Sequence, residues 1–227
     1  MKTGLLVSVL LWGVGASALA GEISGKITIS KPLTKERVAF APYQPRGLFV
    51  AAGGAQEARG EEFDRMAIYL EGEGLRAGEP MQAELRQQNR QFTERLLLVP
   101  AGSTVAFPNG DPIFHNVFSL SRAKQFDLGY YPRNESRSVK FDKPGIVQVY
   151  CHIHREMSAA VVVAPSAWYG RPDETGGFSL SGVPAGNHQL VVWHTSAGFF
   201  RRRVEVPLDG TVEVVLDVPI TDAGLPR

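Results

Sequence analysis

The sequence of 227 residues predicts an all-β protein built from β-sandwiches. Short runs rich in Val, Ile, Leu, Phe and Tyr recur along the chain, and Gly and Pro separate them. Short strands at regular spacing are typical of sandwiches and barrels. The composition, with 44% hydrophobic and 21% charged residues, is that of an ordinary globular chain, which excludes extended disorder and collagen-like or coiled-coil architectures.

The charges of the chain nearly cancel. Its 24 Lys and Arg residues are matched by 23 Asp and Glu residues, which gives a formal net charge of +1 at pH 7. A nucleic-acid partner is therefore not expected, because neutralising its phosphates needs a strongly basic face. The single cysteine excludes an intramolecular disulfide and any zinc site built on several cysteines.

Residues 1–20 have the pattern of a cleavable export signal. Lys2 supplies the positive charge, residues 5–14 the apolar run, and residues 18–20 (Ala-Leu-Ala) a small-residue cleavage site. The apolar run is shorter than the roughly 20 residues that a membrane-spanning helix needs. We therefore expect a periplasmic protein whose mature chain has no membrane span. In that oxidising compartment a lone cysteine is expected to be buried, held by a metal or reactive.

The first predicted strands lie on either side of a long loop. Residues 25–30 alternate between polar and apolar side chains and contain several β-branched residues. Residues 66–72 form a second strand-like run. Residues 41–60, rich in Gly, Ala and Pro, predict a surface loop between them. Residues 81–92 are rich in Gln and Arg, and their periodicity leaves a short helix and a polar edge segment as alternatives.

Further strands are predicted in the middle and at the end of the chain. They cover residues 96–99, 103–107, 138–141, 146–150, 159–164, 177–180, 189–193, 204–206 and 212–214. The dipeptide of Asp209 and Gly210 lies between the last two and predicts a tight hairpin, because a type I′ turn needs positive φ at both central residues. His188 is expected in a solvent-facing turn, and His194 as a hydrogen-bonded structural residue at a strand end.

The most informative stretch is a Cys-x-x-His-x-x-Met motif formed by Cys151, His154 and Met157, directly after a predicted strand. It brings a thiolate, an imidazole and a thioether onto one tight turn. Upstream, His115 follows a turn at residues 108–112. Two imidazoles and a thiolate form a trigonal site suited to copper, with methionine as a weak axial contact. We therefore predict one copper ion, held where two neighbouring strands bring these loops together.

Each of these residues also has an ordinary alternative role. Cys151 alone is most often a small buried side chain, His115 a hydrogen-bonded loop residue and Met157 a core filler. Zinc fits less well, because methionine is not among its usual ligands. A Cys–His nucleophile pair is an alternative on residue types, but it gives His115 and Met157 no role. His152 lies on the opposite strand phase from Cys151 and is expected to point outward without binding the metal.

Residues 92–164 resemble the cupredoxins, the blue-copper electron-transfer family. The resemblance is carried by residues 99–105 (Val-Pro-Ala-Gly-Ser-Thr-Val), 107–109 (Phe-Pro-Asn), 115–116 (His-Asn) and the Cys-x-x-His-x-x-Met loop. That loop is similar in length to the ligand loop of amicyanin. Residues 114–118 and 126–129 add a resemblance to exported bacterial plastocyanin-like proteins, some of them labelled methylamine-utilisation proteins.

The resemblance implies a cupredoxin Greek-key β-sandwich with one copper ion in a type 1 site. The implied copper ligands are His115, Cys151, His154 and Met157. The resemblance also implies that Asn116, outside the ligand set, ties the two ligand loops together through its side-chain amide.

The flanks of the chain resemble the carboxypeptidase regulatory-like, transthyretin-type β-sandwich. Its opening is similar to residues 25–30 and 66–72, and its ending to residues 173–180, 182–186 and 190–194. This resemblance implies a second small sandwich that the copper domain splits in two. The expected boundaries are residues 22–75 and 165–221 for the split sandwich and 76–164 for the cupredoxin domain.

The cupredoxin resemblance implies an electron carrier, not an enzyme, that passes single electrons between periplasmic redox partners. Three alternatives remain: a copper-binding or delivery module with the same ligands, an interaction protein whose transthyretin-like part binds a partner while the site is incidental, and a thiol enzyme acting through Cys151. Arg155 and Glu156 stand where the resembling proteins commonly carry Pro and an aromatic residue. They are interpreted either as solvated loop residues or as a recognition site for a charged partner.

Overall fold

The computed structural model describes residues 20–30 and 62–218, and these residues form seventeen β-strands. The first nine are β1 (Ala20–Ile29), β2 (Met66–Glu71), β3 (Gln82–Glu84), β4 (Gln87–Gln88), β5 (Gln91–Phe92), β6 (Leu96–Pro100), β7 (Ser103–Pro108), β8 (His115–Ser121) and β9 (Lys124–Tyr131). The others are β10 (Ser136–Phe141), β11 (Gly145–Tyr150), β12 (Ser158–Ala164), β13 (Tyr169–Gly170), β14 (Gly177–Pro184), β15 (Gly186–His194), β16 (Gly198–Val206) and β17 (Thr211–Val218).

The described residues confirm the all-β fold class. Sheet I has the strand order β14-β1-β17, and sheet II the order β13-β2-β15-β16. Sheet III has the order β6-β12-β11-β8-β9, and sheet IV the order β10-β7-β3. Strands β4 and β5 form a separate short hairpin. In residues 20–30 and 62–218 no helix is long and apolar enough to cross a bilayer. The predicted loop at residues 41–60 and all of the predicted export signal except Ala20 lie outside these ranges.

Two apolar cores fill the spaces between paired sheets. Between sheets I and II, Ile23 and Ile27 of β1 pack in one cluster with Ile68 of β2. Between sheets III and IV, Phe107 of β7 and Val149 of β11 share a second cluster. Alternation along each strand sends every second side chain into these cores, as expected for strands that pack on a neighbouring sheet.

A third apolar layer joins sheets II and III. Strand β12 directs Val161 into the core with sheet IV and the neighbouring Val162 towards sheet II. Strand β2 directs Ile68 into the core with sheet I and the neighbouring Tyr69 towards sheet III. Both strands are therefore buried on both faces, which explains why their sequences read as continuous apolar runs. The four sheets form one stack in the order I, II, III, IV.

The N-terminal strands β1 and β2 pair with strands from the C-terminal part of the described chain. β1 pairs with β14 and β17, and β2 pairs with β13 and β15, so both N-terminal strands join C-terminal partners. Such pairing is what the predicted split sandwich requires. The domain boundaries and the resemblance to the transthyretin-type sandwich stay predictions.

The predicted hairpin at Asp209 and Gly210 is wrong. The flanking strands exist, but β17 pairs in parallel with β1 of sheet I, whereas β16 pairs with β15 of sheet II. The backbone N–H of Glu22 donates to the carbonyl of Gly210 at 3.0 Å, which fixes the turn at the edge of sheet I. Crossing to that sheet buries Val214 and Leu216 against the strands of sheet II. Burial of these apolar side chains decided the pairing.

Three other expectations are settled by the described strands. Residues 81–92 form the short polar strands β3 to β5, so the edge-segment alternative holds for them. Strands β8 and β9 were not predicted. His188 is not solvent-facing but buried in β15, with Nε2 2.8 Å from the carbonyl oxygen of Pro184, because it shares the inward phase of that strand. His194 is buried, with Nε2 2.9 Å from Glu62 Oε2, as expected of a structural histidine.

Candidate metal centre

Two ligand-bearing segments meet at one end of sheet III. His115 is the first residue of β8, and Cys151 directly follows β11. Tyr150, the last residue of β11, pairs with Phe118 of β8 and with Ser158 of β12. This pairing holds the loop between β11 and β12 against the start of β8.

Three donor atoms converge where these segments meet. Cys151 Sγ lies 3.8 Å from His115 Nδ1 and 3.6 Å from His154 Nδ1. The three atoms all lie within 4.8 Å of one another. With metal–nitrogen bonds of about 2.0 Å and metal–sulfur bonds of about 2.3 Å, as at protein zinc sites, trigonal geometry separates N and S donors by about 3.7 Å. The side chains therefore fit a single metal ion between them.

The backbone closes the loop that carries two of these donors. The N–H of Met157 donates to the carbonyl of His154 at 2.9 Å, and the N–H of Cys151 donates to the carbonyl of Met157 at 3.3 Å. Met157 is fully buried and belongs to the same apolar cluster as Cys151. The thioether therefore lies on the interior side of the loop, while its role as a ligand stays a prediction.

Burial is uneven across the site. The His115 side chain is fully buried and Cys151 is 5% exposed, whereas His154 is half-buried. Burial lowers the pKa of the His154 imidazole, and the nearby charges of His115 and Arg90 lower it further, against a smaller opposing effect of Asp111. The neutral imidazole that a metal requires is thus favoured at this position.

Asp111 lies on the side of the His115 imidazole that faces away from the cysteine. Its Oδ2 is 2.8 Å from His115 Nε2. The backbone N–H groups of Asn89 and Arg90 donate to its two carboxylate oxygens at 2.7 and 2.8 Å. Burial raises the pKa of the Asp111 carboxyl, but hydrogen bonds from Arg90, His115 and Asn89 outweigh it, so the pKa lies below its ordinary value. The carboxylate charge is therefore kept in a buried position.

Asn116 connects the two ligand-bearing segments. Its side-chain Oδ1 accepts a hydrogen bond from the backbone N–H of His152 at 2.9 Å. Its Nδ2 donates to Asp127 Oδ1 at 2.8 Å. Asn116 itself is fully buried, whereas Asp127 and His152 are exposed. The start of β8 is thereby tied to the ligand loop and to β9.

His152 stands outside the donor set. Its exposed ring stacks on Phe118 with a centroid separation of 3.9 Å and an interplanar angle of 5°. Its Nε2 lies 3.4 Å from Asp127 Oδ2. Among the described residues, the group of side chains able to hold a metal contains His115, Cys151 and His154 but not His152.

Sequence reasoning missed the residues that surround His115. Asp111 was noted only as part of a turn, although a carboxylate four residues before a candidate ligand is a signal for an outer hydrogen-bond partner. Asn109 was missed as well: its buried side chain accepts the N–H of Asp111 at 2.9 Å and donates to the carbonyl of Ile113 at 2.8 Å. Together these residues shape the loop that leads into His115.

No protein family and no curated protein matches the sequence. Among solved structures, the chain is similar to a purple cupredoxin from Nitrosopumilus maritimus, at 21% identity over 36% of this chain and 99% of that chain, with a TM-score of 0.33. It is also similar to amicyanin from Paracoccus versutus, at 19% identity over 42% of this chain and 96% of that one, with a TM-score of 0.34. A copper-containing nitrite reductase from Thermus scotoductus is 24% identical over 41% of this chain and 24% of the reductase, with a TM-score of 0.35.

Proposed function

We propose that the protein is an exported type 1 copper protein that transfers single electrons between periplasmic redox partners. The observation that carries the proposal is the convergence of Cys151 Sγ with Nδ1 of His115 and of His154. A thiolate and two imidazoles in a trigonal set are the donors of electron-transfer copper sites. The sequence pattern of residues 1–20 supports the exported location.

Met157 favours copper over zinc as the resident metal. It follows His154 on the same closed loop, and it is buried in the cluster that contains Cys151. A thioether is a usual weak axial ligand of copper in such sites and is not a usual zinc ligand. We therefore assign Met157 as the axial residue.

Bound copper supplies one-electron chemistry by alternating between its two oxidation states. The chain holds the donors in fixed positions. His115 is held by its strand and by Asp111, and the loop from Cys151 to Met157 is closed by two backbone hydrogen bonds. Donors that keep their positions in both oxidation states need little reorganisation when an electron enters or leaves. With four protein donors the site offers no open position for a substrate, unlike a catalytic metal centre.

Burial weighs against two of the alternatives. A delivery module must release its ion, but His115 is fully buried and Cys151 is 5% exposed. A thiol enzyme needs a thiolate that its substrate can reach, and the same burial opposes it. Electron transfer needs neither ligand release nor contact with the sulfur.

The surface beside the donors suits a protein partner. Phe114 and Ile153 precede two of the donor residues, and they are 57% and 53% exposed. Phe and Arg are enriched in protein interfaces relative to the rest of the surface. Arg155 and Glu156 are exposed on the same loop as His154 and add charges to this surface. An apolar contact with a polar rim is the composition expected of an interface with a redox partner.

The experiment is a visible absorption spectrum of the copper-loaded wild-type protein and of three variants. We expect an intense thiolate-to-copper band in the wild-type protein and its loss in Cys151→Ala. His154→Ala is expected to lose or strongly alter the band, whereas the matched control His152→Ala keeps it, since His152 lies outside the donor set. A colourless copper complex, or equal effects of the two histidine variants, would overturn the proposal.

A further inference from the structure

A strained turn supports the carboxylate behind His115. Strands β4 and β5 pair Gln88 with Gln91, so Asn89 and Arg90 form a two-residue hairpin turn. Both residues are left-handed, with φ of 56° and 59°, as a type I′ turn requires. The arginine is unusual there, because a left-handed residue other than Gly costs roughly 1–2 kcal/mol. Strain of this kind persists only where the surrounding structure over-determines it.

The turn offers two adjacent backbone donors to one carboxylate. The N–H groups of Asn89 and Arg90 converge on the oxygens of Asp111 at 2.7 and 2.8 Å. Successive backbone N–H groups in such a turn form a small anion-binding concavity. One of the same oxygens, Oδ2, faces His115 Nε2 at 2.8 Å. A continuous chain of hydrogen bonds therefore runs from the hairpin to the imidazole.

The hairpin is pressed against the loop that carries this carboxylate. The N–H of Gly110 donates to the carbonyl of Gln87 at 2.8 Å. A Cβ atom on Gly110 would lie 2.3 Å from Gln88 Oε1 and 3.1 Å from the carbonyl oxygen of Gln87. The absence of a side chain at position 110 therefore leaves room for the Gln88 side chain beside this loop.

We propose that Asp111, held by the turn of Asn89 and Arg90, is a positioning residue that keeps His115 Nδ1 facing the metal and favours oxidised copper. The proposal rests on the proposed function. The imidazole donates its Nε2–H to the carboxylate, which leaves Nδ1 free of hydrogen and directed towards Cys151. A carboxylate that accepts the Nε2–H makes the imidazole a stronger electron-pair donor to the metal. The negative charge of the buried Asp111 carboxylate also stabilises Cu(II) more than Cu(I).

The first test compares Asp111→Asn with Asp142→Asn, an exposed carboxylate outside the site whose removal changes the net charge equally. We expect Asp111→Asn to weaken Cu(II) binding about tenfold to a hundredfold, with a smaller effect on Cu(I). Each tenfold difference between the two affinities raises the reduction potential by about 59 mV for this one-electron couple. Asp142→Asn is expected to leave the potential unchanged. Equal potentials in the two variants would overturn the proposal.

Two further variants separate the backbone of the turn from its side chains. Asn89→Gly keeps the N–H donor, tolerates the left-handed conformation and leaves the charge of Arg90 in place, so the potential should stay that of the wild type. Asn89→Pro removes this donor and cannot adopt a positive φ, so it should shift the potential in the same direction as Asp111→Asn. A wild-type potential in Asn89→Pro, or a large shift in Asn89→Gly, would contradict the role assigned to the turn. Both variants still test the proposal if Asp111→Asn does not fold.

A measurement without copper keeps this proposal separate from the proposed function. In the metal-free wild-type protein, ¹⁵N NMR should find the ring hydrogen of His115 on Nε2. A ring hydrogen on Nδ1 would overturn the positioning role. If the copper-loaded protein lacks the thiolate band while the hydrogen is on Nε2, the proposed function fails and the positioning of His115 does not.

Discussion

The buried side chain of Asn116 accepts the backbone N–H of His152 at 2.9 Å, so the start of β8 is bonded to the loop that carries Cys151 and His154. The same side chain donates to Asp127 on β9. One amide thus joins β8, β9 and the ligand loop. Together with the pairing of Tyr150 and Phe118, this connection holds His115 near Cys151.

Asn116→Ala removes both hydrogen bonds. Because it leaves the backbone N–H of His152 without its partner, we expect a loss of about 1–3 kcal/mol in the free energy of unfolding. Urea unfolding of the metal-free protein measures this loss. The control is Asn187→Ala at an exposed position, which should stay within about 0.5 kcal/mol of the wild type. Equal stabilities of the two variants would contradict the connecting role.

Met157→Leu replaces the thioether by a hydrocarbon of similar volume. We expect the thiolate-to-copper band to remain and the reduction potential to rise, because the weak axial ligand tunes the potential of such sites. Voltammetry of the copper-loaded protein measures the shift. Met81→Leu, at a residue that is 43% exposed, is the control and should leave the potential unchanged. An unchanged potential in Met157→Leu would mean that the thioether is not an axial ligand.

The layer between sheets II and III should contribute strongly to stability. Leu96→Ala opens a cavity in this layer, where Leu96 is fully buried, and is expected to cost about 2–5 kcal/mol. Thermal or urea unfolding measures the cost. Leu120→Ala, at a side chain that is 77% exposed, should change stability by no more than about 0.5 kcal/mol. A cost for Leu96→Ala as small as that of its control would argue against a tightly packed layer.

The buried pair of His194 and Glu62 should make stability depend on pH. Burial lowers the pKa of His194 below its ordinary value of 6.5, against the opposing effect of Glu62 and together with a lowering effect of Arg65. The unfolded chain therefore takes up a proton at a higher pH than the folded chain. The stability that the neutral His194 contributes is complete above pH 6.5. It is lost as the pH falls from 6.5 through the lower pKa of His194 in the folded protein.

The measurement is urea unfolding of wild type and His194→Gln at several pH values between 7.5 and 5. Subtracting the unfolding free energies of the two proteins at each pH removes the effects of other groups, including His154, whose pKa is also lowered. We expect the wild type to lose more stability than the variant on acidification. Parallel pH curves would mean that His194 binds protons equally in both states.

The sequence alone predicted the residues of the ligand loop, but few of the residues that surround the candidate site. Cys151, His154 and Met157 share one short loop, so their spacing alone suggested a common ion. Linking His115 to them needed the assumption that two strands distant in sequence are neighbours, and the pairing of β8 with β11 is decided by tertiary structure. Asp111 was not assigned: its spacing from His115 was a signal, but the hairpin that holds its carboxylate has no periodicity in the sequence.

The strands were largely predictable from the sequence, but their pairing was not. Alternating and β-branched runs predicted most strands, but the partners of a strand are decided by tertiary packing. Asp209 and Gly210 have the local chemistry of a hairpin, yet β17 joins β1 because this buries Val214 and Leu216. His188 was misplaced for a related reason: it is polar, but the register of β15 turns it inward.

The most direct test of the central claim is a crystal structure of the copper-loaded protein with anomalous diffraction at the copper edge. The account predicts one strong copper peak bonded to Cys151 Sγ and to Nδ1 of both His115 and His154. A copper peak elsewhere, or one that leaves any of these three atoms unbonded, would contradict it.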